Sequence, residues 1–338
     1  MCRYLTGGSM SVHFELNDGF FRDETKDGFQ VPGLMKRCWG AQLRVLEAFD
    51  AICEAHGLRW FAFVGTLLGA VRHKGFIPWD DDVDIAMPRE DYEKFLSFAP
   101  AELPFGYQII NYDEKDHEYD CITRVNNTRG IIFDEKKAEE FCGFPYPAGL
   151  DLYPLDFIVE DPDERKAHID LHYKIQQATE LCRKLLSGSG PLADKDGKHL
   201  EPAEVLAELS MITGYEFDLG KDIIRQLNVL MDLSDSINAR EESAYMGNIG
   251  HITFEGERMM FPLECFDELF KVPYETGYVY IPKGYDEMLR RNYGASYMTP
   301  LIHSPHEYPY YSAHQKAVRE FMAKHPGEIP ESWAEKYL

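Results

Sequence analysis

The stretch GTLLGAVRHKGFIPWDDDVDIAM, Gly65 to Met87, decides how this chain is read. Four aspartates, Asp80, Asp81, Asp82 and Asp84, stand beside Trp79 and inside an apolar run. Like charges this close repel, and burying an unpartnered carboxylate costs on the order of several kcal/mol. A positive group is therefore expected among them. Asp82 to Met87 alternates charged and apolar residues, which predicts a strand with Asp82 and Asp84 on one face. A third acid from a neighbouring strand, Asp151 in LDLYP, would complete a three-carboxylate face. Oxygen ligands of this kind suit Mg²⁺, with Mn²⁺ as its substitute, and such an ion shares its shell with substrate phosphates. Two ions would clamp the attacking and leaving oxygens of a phosphoryl displacement. Upstream, Gly65-Thr66 marks a strand-to-helix junction whose N–H groups suit a phosphate.

Outward from this stretch the pattern alternates helices and strands. Met35, Cys38, Trp39, Leu43, Leu46, Phe49 and Cys53 recur at helical spacing, so a helix is expected over 34–56, closed by Gly57. LRWFAFV, 58–64, reads as a strand, and Thr66 as the cap of a short helix to His73. After Asp82–Met87, Pro88 opens a helix to about Phe98. Strands are expected over 107–112, 121–125 and 130–133, the last two joined by a turn at Asn126-Asn127. A further strand spans 150–159. Asp161 then caps a helix with Pro162 at its first position, running to about Leu186. A Gly/Ser/Pro/Lys-rich loop follows, then helices over 203–212 and 218–240, and a mixed region with a helix at 284–292.

The fold class expected is α/β (α+β): a mixed sheet flanked by helices, with a helical insertion and a small mixed C-terminal part. The expected divisions are an N-terminal arm (1–32), a catalytic core (33–160), a helical segment (161–240) and a C-terminal region completing the fold (241–338).

Composition narrows the function. The 338 residues are 44% hydrophobic, enough for a sizeable core, and the net charge is −23. That charge argues against a nucleic-acid partner, because a phosphate backbone wants a basic face. The seven cysteines are scattered, without zinc spacing, and read as reduced thiols of a cytoplasmic protein. MCRYLTGGSM has no apolar run that would serve as a signal peptide, and no run is long enough for a transmembrane segment. Peripheral membrane contact is left open.

Gly65-Thr66-Leu67-Leu68-Gly69-Ala70-Val71-Arg72, followed by Ile77-Pro78-Trp79-Asp80-Asp81-Asp82-Val83-Asp84, resembles the signature of the LicD family of phosphocholine transferases. That family is related to the fukutin-type polyol-phosphate transferases, within the nucleotidyltransferase superfamily. The likeness continues in Arg124–Thr128, in Asp151–Asp156, and in Tyr293-Gly294 with Tyr297-Met298 and Pro300. It implies a nucleotidyltransferase-type core and transfer of a phospho-substituent from a CDP-activated donor, typically CDP-choline, to a hydroxyl of a surface glycan or lipid-linked glycan. The interval from Gly65-Thr66 to Asp82 is longer than in the general superfamily and agrees with the LicD branch.

Asp82, Asp84 and Asp151 are thus the expected catalytic metal ligands, with Asp151 also a candidate base and Asp156 its competitor. Gly65, Thr66, Arg72 and Arg124 are expected at the donor's phosphates, with Lys74 a weaker candidate. Asp80 and Asp81 would bind through water or orient the loop. Trp79 and Tyr153 are aromatic candidates for a choline headgroup, since a quaternary ammonium is held by ring faces. His303, His306 and His314 read as loop histidines. Two rivals remain at this point. A nucleotidyltransferase would use the same carboxylates and release pyrophosphate, and a binding module could keep the fold without catalysis.

Overall fold

The structure, a computed structural model, describes residues 11–112, 122–187, 201–238, 243–302 and 308–338. The chain begins with a hairpin, β1 (Glu24–Lys26) and β2 (Phe29–Val31), then α1 (Gly33–His56), β3 (Phe61–Ala62) and α2 (Val64–Arg72). Next come β4 (Asp84–Pro88), α3 (Arg89–Glu102), β5 (Gln108–Ile110), β6 (Thr123–Asn126), α4 (Glu135–Glu139) and β7 (Gly149–Phe157). Helices α5 (Pro162–Leu186), α6 (Pro202–Thr213) and α7 (Ile223–Asp235) follow, then β8 (Tyr245–Gly247), α8 (Ile249–Glu255) and β9 (Phe261–Pro262). The chain ends with a hairpin, β10 (Leu269–Tyr274) and β11 (Gly277–Pro282), and helices α9 (Tyr285–Tyr293), α10 (Ser312–Lys324) and α11 (Glu331–Tyr337). This is the mixed α/β class that the sequence implies.

Two compact units divide these elements. The first holds residues up to 109, 124–152 and 264–338; the second holds 110–123 and 153–263. In the first, the strand order is β3-β4-β7-β6-β5. Its core is built on α1, whose apolar stripe, Met35, Cys38, Trp39, Leu43, Leu46, Phe49 and Cys53, is buried as the spacing predicts. Gly57 ends α1 at φ 66°, a conformation that costs glycine little.

In the second unit the remainder of β7 pairs antiparallel with β8, Asp156 opposite Gly247, and β8 pairs with β9. Its core comes from α5, α6 and α7: Ile175, Ala178, Leu206, Leu209, Leu227 and Met231 pack together. Asp161 caps α5 as expected, its side chain accepting from the N–H groups of Asp163 and Glu164. Among the described residues no helix is long and apolar enough to cross a membrane.

Four local expectations are corrected. The strand over 58–64 shortens to Phe61–Ala62, because α2 already starts at Val64. Thr66 is not the cap of α2: Phe63 holds that position, and the Thr66 hydroxyl accepts the Asp84 N–H instead. No hairpin forms at Asn126-Asn127. Asn127 N–H donates to Ala148 O and its Oδ1 accepts Ala148 N–H, so the chain stays beside the approach to β7, and 130–133 carries no strand. The helix expected over 218–240 spans only Ile223–Asp235. Before it, Asp218 closes a turn on Gly220 and is held by Gln226, and residues 239–242 lie outside the described set. Helices α10 and α11 are additions that the sequence pattern did not show.

Candidate active site

The aspartate loop is assembled within the first unit. It runs between α2 and β4, and α1 fixes its peptide groups. Trp39 Nε1 donates to Asp80 O at 3.1 Å, and the buried Gln42 Nε2 donates to Asp81 O at 2.8 Å. Both donors lie on the face of α1 that its apolar period buries, so helix packing and loop placement are one event.

Among the described residues, the metal-capable side chains that converge are Asp80, Asp81 and Asp82, each with a carboxylate oxygen within 4.8 Å of the others. Asp84 opens β4, and its Oδ2 accepts the Gly65 N–H at 3.2 Å. A Cβ on Gly65 would lie 2.7 Å from Asp80 Oδ2 and 3.3 Å from Asp84 Oδ2, so both oxygens close over this residue. A larger residue would push these side-chain ends aside. Gly65 N–H is thus committed to Asp84, and the positive end of α2 is turned on the carboxylates. Val64, just before it, holds φ 29°, an uncommon conformation for a β-branched residue and one of the kind that accumulates at functional sites.

The electrostatics follow from the crowding of these buried carboxylates. Burial, the neighbouring Asp82 carboxylate with which it shares a hydrogen bond, and Asp81 drive the Asp80 carboxyl well above the ordinary range. The Tyr293 and Tyr274 hydroxyls are also pushed up, by burial first and then by nearby carboxylates that include Asp80, Asp82 and Asp84. A divalent cation among these oxygens would reverse that strain, and an all-oxygen donor set fits a hard ion such as Mg²⁺.

The remaining expected residues are distributed as follows. Asp151 lies on β7 beside the loop, its N–H donating to Val83 O at 2.9 Å, and its carboxylate meets Arg124 Nε at 3.4 Å. Asp82 precedes β4, so the strand alternation argument applies to Asp84 alone. Arg72, half-buried at the end of α2, donates from Nη1 to Tyr297 O at 2.8 Å. Trp79 is buried, with the rings of Phe29 and His73 each 6.0 Å away edge-on. Tyr153 belongs to the second unit, where it is buried with its ring 4.7 Å from that of His251. Asp156 there is buried on β7. Lys74 is exposed, and its carbonyl accepts the Glu275 N–H. His303 and His306 lie outside the described residues; His314 lies in α10.

Sequence reasoning missed Trp39, Gln42 and Tyr274. The helical stripe marks Trp39 as buried but carries no sign of its indole bond. Tyr293 was visible only within the family likeness.

A mixed sheet thus carries an acidic cluster beside a helix N-terminus, an arrangement whose oxygens could hold a divalent ion. Residues 57–137 match the family model described as LicD/FKTN/FKRP, nucleotidyltransferase domain. Over 143 residues the chain is 29% identical to the lipopolysaccharide cholinephosphotransferase LicD of Haemophilus influenzae, covering 42% of this chain and 52% of that protein. It is 30% identical over 133 residues to an uncharacterized protein of Rickettsia typhi, 38% of this chain and 40% of the other. A 51-residue segment is 43% identical to the human ribitol 5-phosphate transferase FKRP, 15% of this chain and 10% of that protein. The chain thus spans about half the length of the Haemophilus relative and less of the others.

Proposed function

We propose that this protein transfers a phospho-substituent, phosphocholine foremost, from a CDP-activated donor to a glycan hydroxyl and releases CMP. The observation that carries this reading is the carboxylate cluster closed over Gly65, inside the segment that matches the LicD/FKTN/FKRP domain. The related proteins named for phosphocholine and ribitol 5-phosphate transfer support a phosphoalcohol as the moved group.

Asp80, Asp82 and Asp84 would hold Mg²⁺ or Mn²⁺, with Asp151 contributing from β7. When bound, the ion would neutralise charge on the pyrophosphate bridge. The chain's own residues do the rest. Gly65 keeps Asp80 and Asp84 at close quarters, α1 fixes the loop, and Arg72 and Arg124 bring guanidinium charge to this side of the fold. The acceptor oxygen forms a bond to the distal phosphorus, and the bond from that phosphorus to the bridging oxygen breaks. CMP leaves with the electron pair, and the acceptor's proton passes to a carboxylate, for which Asp151 is the proposed base. Positioning and charge complementarity carry such a reaction.

The test is a panel of CDP-choline, CDP-ribitol and CDP-glycerol, each incubated with Mg²⁺ and a glycan acceptor and scored for CMP. Mg²⁺-dependent CMP release is expected with one donor, falling roughly 100-fold or more in Asp82→Asn. Release of pyrophosphate from a nucleoside triphosphate, with no CMP from any donor, would overturn it.

A further inference from the structure

We propose that Asp81 is a positioning residue: it does not hold the ion but ties the aspartate loop to the C-terminal segment at Tyr310. This rests on the metal reading above. Asp81 is 1% exposed, and its Oδ2 accepts the Tyr310 N–H at 2.6 Å. Tyr310 is itself anchored, since its hydroxyl donates to Pro147 O at 2.6 Å and accepts the Cys38 thiol at 3.5 Å. Two residues earlier, the Tyr308 hydroxyl donates to Pro78 O at 3.4 Å, and its ring meets Phe29 edge-on at 5.3 Å. The segment therefore grips both sides of Trp79-Asp80, and Gln42 holds the Asp81 carbonyl from α1.

Burial is the main influence on the Cys38 thiol and on the Tyr308, Tyr310 and Tyr311 hydroxyls, and Asp81 is the first carboxylate that adds to it. A carboxylate oxygen in a short bond to a buried amide is oriented by that bond, and deleting it leaves the amide without an acceptor. The consequence is that residues far outside the 57–137 segment set the geometry of the site.

The experiment measures Mn²⁺ affinity by electron paramagnetic resonance for the full chain, Asp81→Asn, Asp81→Ala and Asp82→Asn. Amide hydrogen exchange at residue 310 and over 78–84 is read on the same proteins without metal. Asparagine keeps a carbonyl oxygen for the Tyr310 N–H and alanine does not. Asp81→Asn is expected to bind Mn²⁺ within about threefold of wild type, and Asp81→Ala roughly tenfold or more weaker, with faster exchange at 310 in alanine alone. If Asp81→Asn loses Mn²⁺ as Asp82→Asn does, Asp81 is a ligand and the proposal fails. If alanine leaves both affinity and exchange at wild-type values, it also fails. Absence of Mn²⁺ binding in the wild type overturns the metal reading by itself. Exchange at 310 then still decides the tie, supporting it when only alanine accelerates exchange and refuting it when neither variant does.

Discussion

Gly65 and Thr66 show how two adjacent residues divide the work of one site. Thr66 accepts the backbone N–H of Asp84 at 2.8 Å, in a buried setting. Thr66→Val keeps the shape and removes the acceptor, so it should cost about 1–3 kcal/mol in urea unfolding, with Thr66→Ser close to wild type. Gly65→Ala acts otherwise. Its new methyl group would meet the Asp80 carboxylate, a side-chain end that can swing away. A small change in melting temperature is expected, with activity down roughly 100-fold from displacement of Asp80, the proposed metal ligand, by about an ångström. The Gly-Thr pair was legible as a junction because a glycine stood between an apolar strand pattern and a helical one. Its partners were not. The choice of Thr66 for Asp84 rather than for its own helix end depends on a strand some twenty positions away, and no local pattern carries that.

At the level of elements, the periodic segments were readable and the pairings were not. Helix α5 is the clearest case, with Asp161-Pro162 at its start and a buried face at helical spacing. Asp161→Ala removes the acceptor for two amides and should lower the stability of the second unit by about 1 kcal/mol, read by hydrogen exchange along α5. By contrast, 130–133 reads as a strand by composition, yet Ile132 N–H donates to Pro145 O and its carbonyl accepts Trp333 Nε1. Trp333 lies in α11, near the end of the chain. Long-range partners decide such segments, and β propensity registers only a fit to a half-buried surface. The site shares this limit. The acidic stretch announced itself by charge in an apolar context, while the tyrosines and α1 donors around it resemble ordinary core residues.

Over the whole molecule, a charge of −23 sets the solution behaviour. Self-repulsion opposes compaction and is screened over about 10 Å at 0.1 M salt, so the melting temperature should rise between low and moderate NaCl. Acid response is more selective. Burial first, then the Arg72 charge, holds the His73 imidazole down to about 4 from 6.5. Between those values the unfolded chain takes up a proton that the folded chain refuses. The stability tied to neutral His73 is therefore complete above about pH 6.5 and is lost as pH falls toward 4. Asp50 and Glu275, raised by burial, act with the opposite sign and favour the fold in acid. The comparison that isolates the histidine is His73→Gln, whose urea midpoint should fall less than that of wild type on acidification through this window.

Anomalous scattering from a crystal grown with Mn²⁺ and CMP would locate the ion directly. A manganese peak is expected among the carboxylates of Asp80, Asp82 and Asp84, above Gly65, with the phosphate of CMP against it. A peak elsewhere in the molecule, or nucleotide bound with no metal at those three side chains, would contradict it.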